Sequence, residues 1–168
     1  MRGRYCTNRV ASVQSHVWTG DHAAISEETA HVIMPMDLAE HKNLIRRWIA
    51  FSNTGFAGKF DDFIAPTYVG HLDATTMDRV ELERLERQFV EAFPDAHHTI
   101  DDLIAEGDRV VLRTTARATH RGRFEGMDPT GRSVEFTGLV VYRVESGKIA
   151  ESWGEIDFGR LIRALRSR

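Results

Sequence analysis

The stretch ESWGEID, residues 151–157, sets acids beside an aromatic ring. Strand alternation puts Glu151, Trp153, Glu155 and Asp157 on one face and Ser152, Gly154 and Ile156 on the other. A carboxylate desolvated by an indole is a natural general acid/base, because burial raises its pKa toward neutrality. Asp157 ends the stretch, just before a helix that starts at Phe158. Two roles compete for it: the N-cap of that helix, for which Asp is favoured, and an acid/base at the mouth of a cavity. Ser152, Gly154 and Ile156 make a poor core, so the sequence assigns the partly buried side to the Trp153 face.

His120 lies in ATHRGRFEGMDPTGRSVEF, where glycines and Pro129-Thr130-Gly131 mark a loop between two long strands. It can serve as acid, base or hydrogen-bond donor, or it can hold the loop together. Tyr142 and His71 either reach a cavity or belong to the half-buried framework. Arg113, Thr115, Arg117 and Thr119 form one face of a strand and read as a solvated row. His97 and His98 alternate faces and cannot chelate one metal together. There is no GxGxxG after a strand, no phosphate loop, no HExxH and no GxSxG, so neither cofactor nor metal is expected.

These side chains need a scaffold, and the periodicity supplies one. DLAEHKNLIRRWIAFSN reads as a helix with a capping box at Asp37 and Glu40 and a face of Leu44, Ile45, Trp48 and Phe51. Phe56, Phe60, Phe63 and Ile64 keep a helical spacing up to Pro66, which predicts a second short helix. A brief strand, TYVGHL, follows. MDRVELERLERQFVEAFPD is the clearest helix, with Leu82, Leu85, Phe89 and Phe93 as its stripe and Pro94 as its stop. The period then changes to two. HHTIDDLIAE and RVVLRTTARAT form a hairpin through Glu106-Gly107-Asp108, and SVEFTGLVVYRV and KIAESWGEID follow. Val134, Phe136, Val140, Tyr142 and Val144 share a face. Phe158, Leu161, Ile162 and Leu165 predict a terminal helix.

Helices first and antiparallel strands afterwards indicate an α+β fold, a curved sheet wrapped on helices with room for a small molecule. The 168 residues suit one domain over 37–168, and residues 1–36, which lack a sustained period, read as a poorly ordered extension. A net charge of -3 without a basic stripe gives no nucleic-acid footprint. No apolar run reaches membrane-spanning length, the first residues lack the continuous apolar stretch expected of a secretory signal, and Cys6 is the only cysteine. A cytoplasmic protein is expected.

Four stretches in order, EAFPD, DLIAEGDRV, TH-x-G-x-F-x-G-x-x-PTGR and GKI-x-E-x-W-x-x-x-D, resemble the SnoaL-like polyketide cyclases of the NTF2-like superfamily. The resemblance runs from about Asp37 to Asp157. It implies a cystatin-like cone and cofactor-free intramolecular aldol chemistry on a small, carbonyl-rich substrate. Asp157 takes the family's acid/base position, and His120 becomes a hydrogen-bond partner for an enolate oxygen. Trp153, Tyr142, Phe136 and Leu112 would give the apolar wall, with His71 and Ser152 beside it. Many relatives carry histidine where this chain has Ser152. Isomerisation, epoxide or ester hydrolysis, and a non-catalytic binding or dimerisation module stay open on the same cone. A homodimer through the open side of the sheet is expected, with Leu139 and Val141 at its centre.

Overall fold

The computed structural model describes residues 38–167. The extension over 1–36 and the Asp37 half of the first capping box lie outside the described residues. Three helices, α1 (Leu38–Ser52), α2 (Arg79–Ala92) and α3 (Phe158–Arg166), accompany six strands. The strands are β1 (Ile64–Leu72), β2 (Thr75–Met77), β3 (His97–Glu106), β4 (Arg109–Thr119), β5 (Ser133–Glu145) and β6 (Lys148–Ile156). They form one curved, open sheet in the order β2-β1-β6-β5-β4-β3. Every pairing is antiparallel except β1 with β6, which is parallel.

The predicted face of α1 is the buried one: Leu44, Ile45, Trp48 and Phe51 pack inward together with Ile49. The predicted second helix does not form. Its aromatic residues instead surround Trp48, with ring centroids 4.9 to 5.9 Å apart among Trp48, Phe51, Phe56, Phe60 and Phe63. Only a single 3-10 turn, Phe60–Asp62, is helical, and Ile64 already opens β1. The four-residue spacing came from rings converging on one indole. Pro66 sits inside β1, where the register with β6 shifts between Ile64 and Val69, so its missing N–H breaks no regular ladder.

Helix α2 begins with a complete capping box: Asp78 accepts from the Glu81 N–H at 2.9 Å, and Glu81 accepts from the Asp78 N–H at 3.1 Å. The solvated row on β4 is as read, with Arg113 paired to Asp101 and Asp102 and Arg117 to Glu135. On β5 the expected face is turned inward: Val134, Phe136, Tyr142 and Val144 are buried and Val140 is partly so. Strand β6 carries one extra residue opposite β5, because Val144 pairs with Ile149 and Arg143 with Glu151. Ala150 is the bulge, and it fixes which β6 side chains point inward thereafter. No helix among the described residues is long and apolar enough to cross a membrane.

Helix α3 closes the chain over β5, burying Leu161 and Leu165. Asp157 is its N-cap, accepting from the Arg160 N–H at 2.8 Å. Replacing Asp157 with Ala should cost about 1 kcal/mol and about 3 °C in thermal midpoint, while Asp157→Asn keeps the cap. Equal midpoints for the two variants would show that the cap does not stabilise the helix.

Candidate active site

Alternation along β6 does separate Ser152, Gly154 and Ile156 from Glu151, Trp153 and Glu155, but the interior lies on the other side from the one expected. Ser152, Gly154 and Ile156 line a cavity of about 840 Å³, while Trp153 faces outward. The reason is steric. Small side chains make a poor core, and for that reason they leave a void where larger ones would fill it. Val140, Tyr142 and Phe136 of β5 extend the same wall, and Tyr68, Gly70 and Leu72 of β1 continue it. The opposite side is built by α2 through Leu82, Leu85, Glu86 and Phe89, and by α3 through Phe158 and Ile162. Each set follows its element's period, two on the strands and three to four on the helices.

Two polar groups meet on this wall. The Tyr68 phenol oxygen lies 2.6 Å from Ser152 Oγ, and both residues are buried. The sheet register explains the contact. Gly70 is the parallel partner of Ser152, and the Tyr68 ring lies across Gly70 to reach it. A Cβ on Gly70 would come within 2.5 Å of the Tyr68 oxygen, so glycine is needed there for the bond to form. Burial pushes the Tyr68 phenol up to about 12, with the Ser152 hydrogen bond opposing it in part. Burial drives the Tyr142 phenol well above its usual range too, assisted by the neighbouring acidic groups Tyr68 and Glu86. Both phenols therefore stay protonated near neutral pH and remain donors.

Arg123 and Arg166 reach the lining of the cavity, and of the carboxylates there, Asp73, Glu86, Glu91 and Glu125, Glu86 is the one whose pKa is shifted by burial. It stands four residues after Leu82 and three before Phe89, so α2 carries it within the apolar stripe. Part of its surface is open to the cavity, yet the surrounding wall is largely apolar. Burial alone pushes its carboxyl up to about 7, from an ordinary 4.5. Its carboxylate makes no hydrogen bond or ion pair with the described residues that would offset this. Its charge reaches both Tyr68 and Tyr142. The result is a carboxyl group balanced between its two protonation states, in the same cavity as two protonated phenols.

The other residues read from the sequence fall into two groups. Tyr142, Phe136 and Ser152 line the cavity. His71 touches its rim, but its ring is on the outer face, stacked on Trp153 at 5.3 Å with an interplanar angle of 5°. There His71 Nε2 is 3.0 Å from Glu151, which also accepts from Arg143 at 3.1 Å, and Arg109 lies 4.9 Å over the Trp153 ring. The His71 hydrogen bond, with help from Arg143, holds the Glu151 carboxyl below the usual range, so this acid stays ionised and paired. Leu112 is fully buried among the α1 contacts and is not part of the lining. His120 is fully buried against Phe93, ring centroids 5.3 Å apart, and lies outside the cavity wall. Its Nδ1 accepts from the Thr130 N–H at 3.3 Å and lies 3.1 Å from Thr130 Oγ1, which ties down the loop after β4. With Nδ1 accepting, the ring proton belongs on Nε2, which is buried without a partner. Asp157 is exposed, is engaged as the α3 cap and is absent from the cavity lining. Sequence reasoning missed Glu86 and Tyr68. Their signals were present: an acid at apolar spacing on α2, and a tyrosine alternating with Gly70 and Leu72 on β1.

No group of three or more metal-ligating side chains occurs among the described residues. No curated protein matches the chain. Solved structures do. AclR from Streptomyces galilaeus, a proposed hydroxylase, is 31% identical with a TM-score of 0.71, over 76% of this chain and 82% of that one. IdmH from Streptomyces antibioticus, a proposed polyketide cyclase, is 32% identical with a TM-score of 0.68, over 76% of this chain and 99% of that one. TsrD from Streptomyces laurentii is 26% identical with a TM-score of 0.71, over 79% and 99% of the two chains. The sequence profile of the SnoaL-like polyketide cyclases matches residues 42–165. With the open α+β cone of these neighbours and a profile match over most of its length, the chain belongs to the SnoaL-like polyketide cyclase family.

Proposed function

We propose that the protein catalyses a cofactor-independent cyclisation or isomerisation of a small carbonyl-bearing substrate, with Glu86 as its acid/base. One observation carries this reading: a carboxyl raised to about 7 shares an apolar cavity with a hydrogen-bonded Tyr68–Ser152 pair. The substrate carbonyl oxygen accepts from Tyr68 or Ser152, which acidifies the adjacent C–H. Glu86, as carboxylate, takes that proton, and the electron pair of the C–H bond moves into the enolate. In an aldol closure the enolate carbon bonds to a second carbonyl carbon, and the alkoxide formed takes the proton back from Glu86. The hydroxyl pair stabilises the enolate oxygen in the manner of an oxyanion hole. A base with a pKa near the working pH combines adequate strength with adequate ionised population. Family membership supports the reaction class, and AclR and IdmH point to enzymes among the relatives. A cytoplasmic location is part of this reading.

The chemistry can be tested without the natural substrate, using the flat bicyclic ketone 2-tetralone. The protein should accelerate hydrogen–deuterium exchange at its α-carbons, followed by NMR, with a rate that falls as pH drops below about 7. Glu86→Gln should lower that catalysed rate about 10²- to 10⁴-fold, and Asp157→Asn should leave it near the parent value. The reverse ranking would return the role to Asp157.

Stability gives a second readout. A raised carboxyl pKa favours folding while the group is protonated, so its contribution is complete below 4.5 and is lost as pH rises to about 7. Glutamine removes this loss. Glu86→Gln should therefore match the parent near pH 4 and exceed it at pH 8 by up to about 3 kcal/mol. A variant less stable than the parent at pH 8 would contradict a desolvated carboxylate.

We also propose a homodimer through the outer face of the sheet. That face leaves Leu139 44%, Val69 41% and Ile104 62% exposed, with Val141 beside them. Sedimentation at micromolar concentration should give a dimer, and Leu139→Glu should shift it to monomer. A monomeric parent would rule this assembly out.

A further inference from the structure

Residues 120–132 join β4 to β5 as a loop fastened at both ends and along its first limb. Its ends close on each other. The His120 N–H donates to the Arg132 carbonyl at 2.9 Å, and the Gly131 N–H to the His120 carbonyl at 3.0 Å. The buried His120 ring adds a tie, its Nδ1 accepting from the Thr130 N–H at 3.3 Å. The first limb is bound to α2, because the Arg121 and Gly122 N–H groups both donate to the Ala92 carbonyl at 2.9 Å. A Cβ on Gly122 would overlap the Glu91 carbonyl oxygen, so glycine is what lets the chain come this close. At the tip, Phe124 and Met127 pair in both directions, with Glu125 at φ 47° and Gly126 at φ 75°. Positive φ at both central residues marks a tight two-residue hairpin turn.

What this framework holds out is one aromatic ring. Phe124 lies edge-on to Phe93 at 5.1 Å and to Phe89 at 6.2 Å, and it lines the cavity. Phe89 is three residues past Glu86, on the same face of α2. Phe93 in turn packs against the His120 ring at 5.3 Å. His120, Phe93, Phe124 and Phe89 thus make one continuous row of rings, from the loop's anchor to the turn that carries Glu86. Exposed charges surround the same cavity: Asp73, Glu91, Arg123, Glu125 and Arg166. None of them acts on the Glu86 carboxyl, which burial alone has raised, and Tyr68 and Tyr142 are the phenols that feel its charge. What matters for Glu86 is therefore how well the apolar lining keeps water out. Phe124 is the one ring of that lining supplied by a loop rather than by a strand or helix.

We propose that Phe124 is a positioning residue for the reaction: held by the His120 anchor, it closes the cavity beside α2 and keeps bulk water from Glu86. This rests on the reading of Glu86 as the acid/base. An open loop lets water solvate the carboxylate, which lowers its affinity for the proton and weakens it as a base. His120 contributes without touching the substrate, through the ring it holds.

The test follows the Glu86 carboxyl by carbon-13 NMR in the full chain, with 2-tetralone exchange as the kinetic readout. Phe124→Ala should lower the Glu86 midpoint from about 7 to below about 6, and the pH at which exchange sets in should fall with it. The maximal exchange rate should drop about 10-fold. Phe124→Leu, which restores apolar bulk, should bring both back toward the parent. His120→Leu, which cannot accept from Thr130, should act like Phe124→Ala, and His120→Asn, which can, should lie between it and the parent. Where the His120 variants do not fold, the Phe124 variants decide the matter. A purely structural role would lower the thermal midpoint and leave the Glu86 titration where it was. A Glu86 midpoint unchanged in Phe124→Ala, or lowered as far in Phe124→Leu, overturns the proposal. So does a parent with no glutamate midpoint near 7. The acid/base reading fails separately. If Phe124→Ala shifts the midpoint while Glu86→Gln still exchanges 2-tetralone, Glu86 loses its role and the closure stands. If Glu86→Gln abolishes exchange and Phe124→Ala moves nothing, the base stands and the closure falls.

Discussion

A carboxyl group that faces an apolar cavity without a partner cannot keep its charge as readily as one in water, and this desolvation at Glu86 governs the whole site. Had Glu86 been paired with a cation, its pKa would have fallen and its basicity with it. Had it been exposed on the far side of α2, it would be one more solvated charge on a charged helix. The outer face of β6 shows the contrast in the same molecule: Glu151, bonded to His71 and Arg143, is held ionised and below its usual range. Identical chemistry in two environments gives one carboxyl held ionised and one whose pKa is raised toward neutrality.

The scaffold is arranged so that this environment persists. The capping box at Asp78 and Glu81 fixes where α2 begins and hence the phase of its stripe, which brings Glu86 over the sheet with Leu82 and Phe89. The parallel register of β1 on β6 puts Gly70 beside Ser152, and the Tyr68 ring spans that step to make the hydroxyl pair. The bulge at Ala150 then sets which of the following β6 residues face inward. Without that extra residue, Trp153 would fill the space that Ser152 and Gly154 leave open. Asp157 keeps α3 in place over the remaining side.

Much of this fold was legible in the sequence because it rests on period. The α1 face, the α2 stripe, the hairpin from β3 to β4 and the inward row of β5 all alternate cleanly, and tertiary packing agrees with them. Two readings failed where period alone misleads. Phe56, Phe60 and Phe63 mimic a helix because their rings gather around Trp48, a long-range convergence that no local pattern reports. The β6 alternation was right, but its inner side was assigned by apolar content, and a cavity wall inverts that rule: small residues mark the inside. For the same reason Asp157, beside Trp153 in the alternation, is at the surface, while Ser152 lies inside. Glu86 escaped notice because a charged residue on an amphipathic helix ordinarily belongs to the solvated face, and its position within the stripe becomes meaningful only once a cavity is seen opposite.

The account turns on the protonation of one side chain, which can be measured without any substrate. Carbon-13 NMR of protein labelled at the glutamate carboxyls, titrated from acid to alkaline pH, should show one resonance with a midpoint near 7 that disappears in Glu86→Gln. If every glutamate carboxyl titrates below about pH 5, Glu86 is solvated or paired, and the cavity holds no base of the kind described.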